Sequence, residues 1–344
     1  MAKPIFASMS QHDKFMQRCL DIASNGLGTT YPNPLVGSVI VGENGDILGE
    51  GFHYKSGQPH AEVNAIKDAE QRGWNDSAFA KATLYVNLEP CSHHGKTPPC
   101  ADLIVRKGFN KVVVGTLDPH KKVAGRGVQL LRDSNIEVIT DVLVEECNQL
   151  NKRFFTYHKN HRPFIVLKWA QTADGFIAPV KRDKREPVWI TNKYSRQLVH
   201  KLRAQEQSIL VGTNTLVADN PSLTVRDWSG INPTRIVLDA KGNLDVHSNI
   251  YNKEAPTINI DPSNGFENII KSLYEHQLQS VIIEGGRKTL DLFIENDCWD
   301  EIHQFMGAKI YFKEGISAPI IPKNAIMKSR QLIKDDVYKI FSRS

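Results

Sequence analysis

The stretch "PCSHHGKTPPC", Pro90 to Cys100, places two cysteines in a proline-rich loop after the apolar run "ATLYVNL". Upstream, "HAE" opens a predicted helix and puts His60 and Glu62 in its first turn. One imidazole and two thiolates would fill three positions of a tetrahedral zinc site and leave the fourth open for water, as catalytic zinc sites do. Glu62 is then the natural proton carrier. We therefore predict a hydrolytic zinc site at His60, Cys91 and Cys100.

Taken singly, these residues favour a plainer interpretation, in which His60 packs at a helix start and both cysteines are buried thiols. The order His, Glu, Cys, Cys, with Pro90 directly before Cys91, instead matches the signature of zinc deaminases. Eight residues separate the cysteines, whereas common nucleoside deaminases have two. His93 and His94 compete as ligands. A loop histidine so close to a ligand cysteine chelates awkwardly, so we assign both to substrate or solvent.

Helices and strands alternate along the chain and predict two α/β domains. In the first, over residues 1–158, "LVGSVIV" and "DILGEGFH" form a hairpin, and three further strands alternate with helices. The polar stretch "KNHRP", Lys159 to Pro163, is the predicted linker. The second domain, over residues 163–344, restarts the alternation and indicates a mostly parallel sheet.

Composition narrows the class of protein. The 344 residues are 40% hydrophobic and 24% charged, as in globular proteins. No apolar run is long enough to cross a bilayer, and the N-terminus is a poor signal peptide, so we expect a cytoplasmic protein without a membrane partner. A net charge of +5 is too mild an excess to indicate nucleic-acid binding. Five cysteines, an odd number, argue against a disulfide framework.

The first domain resembles the bifunctional riboflavin-biosynthesis deaminase/reductase family in "NPLVGSVIV" (Asn33 to Val41), "HAE", "EPCSHHGKTPPC" and "VAGRG" (Val123 to Gly127). That family also has the long spacing between the cysteines. The resemblance implies a cytidine-deaminase-like α/β/α domain with the zinc ligands and proton carrier predicted above. It further implies three residues that hold a diaminopyrimidinone ribose phosphate: Asn33, His93 and Lys96.

The chemistry of these residues agrees with the resemblance. Lys96 is a movable cation suited to a phosphate, and Asn33 offers a donor and an acceptor to a pyrimidine edge. A solvated loop is nevertheless the usual place for a lysine. In "LDPHKK", His120 stands where the family commonly has asparagine, while Asp118 matches.

The second domain has no GxGxxG motif, and "IIEGGRKTLD" alone is a weak indication of an anion site at a helix N-terminus. Here "KWAQTADGFIA", "GTNTLVADNPSLTVR" and "EGG" resemble the family's reductase half. They imply a dihydrofolate-reductase-like α/β domain in which Lys168 assists hydride transfer. The residues implied to contact NADPH are Ala170, Trp189, Thr215, Asp219, Gly286, Arg287, Lys288, Thr289 and Leu290. Those implied to contact the ribosyl substrate are Arg203, Leu223, Arg226 and Glu284.

Several positions depart from the family's pattern in the second domain. Pro187 and Ala240 stand where serines are common, and a proline offers neither an N–H nor a hydroxyl. The segment "PVKRDKREPVW" is longer and more basic than usual. Its four cations favour either a cofactor 2′-phosphate or a solvated loop: Lys181, Arg182, Lys184 and Arg185. Arg203 on sequence pattern alone would be a surface helix charge.

These observations predict two consecutive steps toward riboflavin. The first is zinc-dependent deamination of 2,5-diamino-6-(5-phosphoribosylamino)pyrimidin-4(3H)-one, and the second is NADPH-dependent reduction of the ribosyl group to ribityl. The resemblance also implies a homodimer or tetramer. One alternative is a zinc deaminase of another nucleotide or of nucleic acid, with a non-reductase accessory domain. The other is a zinc-stabilised binding module whose second domain senses a nucleotide.

Overall fold

The computed structural model describes residues 9–92, 98–119, 124–181, 185, 187–240, 242 and 244–344. The chain forms two compact units, Met1–Asn160 and His161–Ser344. Lys159 and Asn160, predicted to belong to the linker, instead end the last helix of the first unit. Across the ranges just given, no helix combines the length and the apolar character needed to span a membrane.

The first unit is built around one sheet. Its strands are β1 (Gly37–Val41), β2 (Ile47–Phe52), β3 (Thr83–Leu88), β4 (Lys111–Thr116) and β5 (Glu137–Ile139). Its helices are α1 (Gln11–Ala23), α2 (Ala61–Gln71), α3 (Asp76–Phe79), α4 (Cys100–Arg106), α5 (Arg126–Asp133), α6 (Val144–Leu150) and α7 (Lys152–Asn160). In the described residues the strand order is β2-β1-β3-β4-β5. The predicted β1–β2 hairpin is confirmed as antiparallel, and β3, β4 and β5 are parallel.

Both faces of this sheet are apolar. Successive side chains of a strand point to opposite faces, and in these strands both sets of side chains include buried hydrophobic residues. Ile40 and Leu84 pack in a core with residues of α2, α4 and α5. Val39 and Tyr85 pack in a second core with residues of α1 and α6. The sheet therefore lies between two layers of helices, which confirms the predicted α/β/α fold.

Two glycines let α2 approach β2 closely. A Cβ at Gly51 would lie 2.5 Å from the backbone nitrogen of Ala65, and one at Gly49 would lie 2.5 Å from the Ala65 carbonyl oxygen. No side chain fits in that space without moving the helix. The contact therefore fixes α2, and with it the His60 and Glu62 at its N-terminus.

We expect Gly51→Ala to displace α2, destabilise the first unit by about 1–3 kcal/mol through overpacking, and lower its zinc content. Gly42→Ala is the matched control, because its added Cβ would meet a flexible side-chain atom, Leu48 Cδ2, at 3.1 Å. Zinc per chain and the half-life of deamination on heating are the measurements. Equal values for the two variants would show that the close approach does not position the site.

The second unit contains a larger sheet. Its strands are β6 (Phe164–Thr172), β7 (Phe176–Pro179), β8 (Ser208–Gly212), β9 (Thr234–Leu238), β10 (Thr257–Ile260), β11 (Ser280–Gly285), β12 (Glu301–Gly307), β13 (Gly315–Ser317), β14 (Ala325–Ile333) and β15 (Asp336–Arg343). Its helices are α8 (Lys193–Gln205), α9 (Thr213–Asp219), α10 (Phe266–Glu275) and α11 (Arg287–Glu295). Over the described part of the unit, the main sheet has the order β10-β9-β8-β11-β6-β12-β15-β14, and β7 pairs with β13.

The main sheet is parallel from β10 to β12, which confirms the predicted parallel character. The antiparallel strands β15 and β14 were not predicted. Residues Thr213–Asp219 form the short helix α9, in which Leu216 is buried, and this helix was not predicted. A helix of seven residues is too short to show a clear apolar period, so the sequence pattern did not reveal it.

Candidate active sites

The first site lies at the N-terminus of α2. His60 is the N-cap residue, with φ −74° and ψ 169°, and Glu62 lies in the first turn. Cys100 begins α4, and Cys91 follows the end of β3. The fold thus brings two helix starts and one strand end together, which places the residues of the predicted zinc site side by side.

The geometry of His60, Cys91 and Cys100 fits a metal ion. One potential ligand atom from each residue lies within 4.8 Å of the other two. His60 Nδ1 is 3.6 Å from Cys91 Sγ and 3.4 Å from Cys100 Sγ. The neighbouring Cys100 thiol is the main cause that lowers the pKa of Cys91 to about 4, and His60 contributes to it. An imidazole and two thiols, one of them readily ionised, are the donor set that zinc prefers.

Glu62 has the environment of a proton carrier. It is 3% exposed, and burial, reinforced by the charge of Cys91, raises the pKa of its carboxyl to about 7. General acid–base catalysis is most efficient when the pKa of the group lies near the working pH. Glu62 can therefore both accept and release a proton beside the three ligands.

Asn33 is joined to the site through a residue that the sequence analysis missed. Its Nδ2 lies 3.0 Å from His53 Nε2, and the other nitrogen of that ring lies 3.1 Å from the Pro59 carbonyl oxygen. The ring centroids of His53 and His60 are 5.4 Å apart. A lone histidine at the end of β2 carries no motif, so no sequence signal pointed to it. The other predicted substrate residues, His93 and Lys96, lie outside the described residues, as does His120.

Glu89 holds the chain directly before Cys91 in place through hydrogen bonds to backbone N–H groups. Its carboxylate is 4% exposed and accepts backbone N–H groups of Gly125 at 2.8 Å, of Gly127 at 2.8 Å and of Asp118 at 3.2 Å. Since Glu89 directly precedes Pro90 and Cys91, these bonds tie the chain next to Cys91 to the start of α5. The motifs "EPC" and "VAGRG" are thus parts of one structure.

The second unit contains a buried network of charged residues. Arg203 forms a bidentate ion pair with Glu284, Nε to Oε1 at 3.0 Å and Nη2 to Oε2 at 2.8 Å. Lys168 Nζ lies 3.8 Å from the same Glu284 Oε2. Burial raises the pKa of Glu284, but the charges of Arg203 and Lys168 outweigh it and bring the pKa to about 2. Burial also lowers the pKa of Lys168. Arg203, being 8% exposed, is not the surface charge that its sequence pattern indicated.

Arg226 differs from Arg203 in its surroundings. It is exposed, and its Nη1 donates a long hydrogen bond of 3.4 Å to Thr224 Oγ1. Leu223, three residues earlier, is 3% exposed and has a left-handed backbone with φ 55°. Of the two arginines predicted to contact the ribosyl substrate, Arg226 is therefore the one that is exposed.

The predicted cofactor residues lie on several elements of the second unit. Thr215 and Asp219 belong to α9, and Ala170 follows Lys168 by two positions on β6. Trp189 is 56% exposed, with the Arg196 guanidinium 4.8 Å from its ring centroid. The remaining residues form the N-cap and first turn of α11: Gly286, Arg287, Lys288, Thr289 and Leu290.

The segments around β8 and β11 meet at the carboxyl ends of these two parallel strands. A Cβ at Gly286 would lie 3.5 Å from Thr215 Oγ1, and one at Gly212 would lie 2.6 Å from Thr289 Oγ1. Ligands of α/β sheets bind at the carboxyl ends of strands, where helix N-termini favour anions. The predicted cofactor residues of α9 and α11 are therefore brought together.

Arg185, in the basic segment of residues 179–189, contacts α9. Arg185 Nε donates to the Val217 carbonyl oxygen at 3.0 Å, and its Nη2 donates to that of Leu216 at 3.4 Å. Arg185 thus holds the end of α9. Lys181 is exposed, while Arg182 and Lys184 lie outside the described residues.

Comparisons with known proteins cover most of the chain. The family described as "Cytidine and deoxycytidylate deaminase zinc-binding region" matches residues 9–116, and "RibD C-terminal domain" matches residues 163–316. The chain is 40% identical to the riboflavin biosynthesis protein RibD of Aquifex aeolicus, covering 94% of each chain. It is 34% identical to the protein of that name from Escherichia coli, over 87% of this chain and 88% of the other.

The fold of the chain is also similar to that of solved structures of related proteins. A diaminohydroxyphosphoribosylaminopyrimidine deaminase/5-amino-6-(5-phosphoribosylamino)uracil reductase from Thermotoga maritima superposes with a TM-score of 0.86 at 36% identity, covering 97% of this chain and 99% of that one. RibD of Acinetobacter baumannii superposes with a TM-score of 0.85 at 30% identity, with the same coverage. Both similarities include the two units described above.

Proposed function

The chain belongs to the RibD family of bifunctional riboflavin biosynthesis enzymes, and we propose that it acts on the diaminopyrimidinone ribosyl phosphate for which its Thermotoga relative is named. The first unit is a deaminase domain and the second a pyrimidine reductase domain. This membership excludes a non-reductase accessory domain and a binding module without activity. In the proposed reaction, the 2-amino group is replaced by oxygen with release of ammonia, and the ribosyl group is then reduced to ribityl.

The observation that carries the proposal for the first unit is the approach of His60, Cys91 and Cys100 to within 4.8 Å beside a buried carboxylate. These three residues would hold Zn²⁺. The metal supplies the lowered pKa that makes water a nucleophile near neutral pH. Glu62 would take a first proton from the water and give it to the ring nitrogen as the C–O bond forms. It would then carry the second proton, from the added hydroxyl, to the amino group, which leaves as ammonia when the C–N bond breaks. Asn33, held by His53, would fix the pyrimidine edge.

In the second unit, the Lys168, Arg203 and Glu284 network supports the proposed reductase site. NADPH supplies the hydride when bound. Lys168, whose pKa is lowered by burial, would give a proton to the opened sugar or polarise its imine. Glu284 would accept hydrogen bonds from substrate hydroxyls, and Arg203 holds its carboxylate in place. Arg226, an exposed residue, would bind the phosphate through its guanidinium.

We propose that NADPH binds along α9 and the first turn of α11. Thr215, Gly286 and Thr289 lie close enough there to line one ligand, and both helix starts offer N–H groups to its phosphates. Trp189, Ala170 and Asp219 would complete the binding surface. Pro187 and Ala240 are exposed and offer no hydroxyl to the cofactor. The contacts of α9 and α11 would therefore supply a larger share of the affinity for NADPH than they would if serines stood at these two positions.

The location of the protein in the cell and its oligomeric state are two further predictions. We propose a cytoplasmic location, where the thiols of Cys91 and Cys100 remain reduced and able to bind metal. The homodimer or tetramer implied by the family resemblance can be measured by sedimentation of the purified chain.

The substrate is tested by comparing ammonia release from three compounds: the diaminopyrimidinone ribotide, its dephosphorylated form and dCMP. We expect the ribotide to exceed its dephosphorylated form in kcat/KM by about 10–10²-fold, the value of one charge-assisted hydrogen bond, and dCMP to release no ammonia. If dCMP were the better substrate, the zinc site would be confirmed and the proposed substrate would be wrong.

A further inference from the structure

One face of α8 is directed at the segment that carries Arg226. Arg196, His200 and Arg203 are spaced i, i+4 and i+7 along the helix, so they lie on the same side of it. All three contact residues 224–227. The sequence analysis singled out Arg203, while Arg196 and His200 belong to no motif.

The two arginines hold the ends of this segment. Arg203 Nη1 donates to the Thr224 carbonyl oxygen at 3.2 Å, and Arg196 Nε donates to Asp227 Oδ2 at 2.6 Å. Between them, the backbone N–H of Arg226 donates to His200 Nδ1 at 3.1 Å. His200 therefore fixes the main chain at Arg226, the exposed arginine of this segment.

The direction of that bond determines the protonation state of His200. Because a backbone N–H donates to Nδ1, that nitrogen carries no proton, and the ring proton is on Nε2. Nε2 lies 3.7 Å from Asp227 Oδ2. Burial, together with the charges of Arg203 and Arg226, lowers the pKa of His200 to about 4, so the neutral ring persists at neutral pH.

We propose that His200 is a positioning residue of the reductase site, which acts through Arg226 to set affinity for the substrate's phosphate. The inference rests on the proposed function and names a determinant of its substrate class. Arg203 cannot replace Arg226 in this role, since its guanidinium is already bonded to Glu284 and to the Thr224 carbonyl oxygen. Phosphate recognition thus depends on the orientation of Arg226, which His200 maintains.

Two substitutions separate this role from simple packing. His200→Asn puts an amide oxygen near the position of Nδ1 and can still accept the Arg226 N–H, whereas His200→Gln puts its amide near the position of Nε2 and leaves that N–H without its acceptor. We expect His200→Gln to raise KM for the deaminated ribotide about tenfold, the cost of an unmade hydrogen bond. Its kcat and its KM for NADPH should stay within about twofold of wild type, and His200→Asn should restore most of the affinity.

A double-mutant cycle on the intact chain completes the test. If His200 acts through Arg226, His200→Gln should add little to the KM of Arg226→Gln, because the two residues form one unit. Additive effects, or an unchanged KM in His200→Gln, would overturn the inference. Equal loss of kcat in the Asn and Gln variants would also overturn it, because it would indicate only a packing role. Failure of the wild-type chain to oxidise NADPH with this ribotide would instead contradict the proposed function itself.

Discussion

Glu62→Gln is expected to lower kcat for deamination by about 10²–10⁴-fold, the usual contribution of a positioned acid–base group. Glutamine keeps the shape of the side chain but cannot carry a proton between water and the leaving amine. Zinc content should stay at the wild-type level, because Glu62 is not among the three residues proposed to hold the metal. Ammonia release in single-turnover and steady-state assays measures the loss of deamination. Zinc bound per chain measures whether the metal content is unchanged.

Two controls make this result specific. Glu70→Gln changes the same residue type on the same helix, where Glu70 pairs with Lys107 at the surface, and it should deaminate normally. NADPH oxidation with the deaminated ribotide should also be unchanged in Glu62→Gln, since that reaction belongs to the second unit. A Glu62→Gln variant with wild-type ammonia release would show that another group moves the proton.

Glu284→Gln is expected to destabilise the second unit by about 3–5 kcal/mol and to abolish reduction. The substitution leaves the buried cations Arg203 and Lys168 without their shared counter-charge, and breaking a buried pair from one side has a cost of that size. Glu275→Gln is the matched control, because its pair with Lys271 is exposed and of little value. Four of the five tryptophans lie in the second unit, at positions 169, 189, 228 and 299. Urea unfolding followed by tryptophan fluorescence therefore reports mainly on this unit.

The ion pair between Arg203 and Glu284 predicts that the stability of the second unit depends on pH. The pKa of Glu284 falls from an ordinary value of 4.5 to about 2 on folding, so the ionised carboxylate stabilises the folded state above about pH 4.5. This contribution should be lost as the pH falls from there toward 2. Unfolding of the wild-type second unit should become easier across that window, and Glu284→Gln should lack this component. Identical pH profiles for wild type and Glu284→Gln would contradict the assigned ion pair.

The sequence predicted the deaminase half well because its chemistry is local. The motifs around His60, Glu62, Cys91 and Cys100 combine unusual residue types with strand and helix ends, and the alternation of apolar segments predicted the layers on which they lie. The sequence did not reveal the residues that hold these motifs in place through hydrogen bonds. His53 is an isolated histidine, and the bonds of Glu89 reach residues 29 to 39 positions away in the chain.

The reductase half was predicted from family resemblance more than from physics. Arg203 and Glu284 are 81 positions apart, and no periodicity pairs residues at such a distance, so Arg203 resembled a surface charge. His200 was missed for the same reason, since its role depends on a backbone N–H that folding brings to it. The end strand β14 carries several exposed apolar residues, Ile326, Met327 and Leu332 among them, and so lacks a clean alternation of apolar and polar positions.

A single incubation shows whether this one chain carries both activities. Zinc-loaded protein receives the diaminopyrimidinone ribotide and NADPH, while ammonia, NADPH and product mass are followed over time. We expect ammonia to appear first, NADPH then to be oxidised in equal amount, and the final product to be the ribitylaminouracil phosphate. Absence of ammonia from zinc-loaded protein would contradict the site assigned to His60, Cys91 and Cys100. Ammonia without NADPH oxidation would contradict the one assigned to Lys168, Arg203 and Glu284.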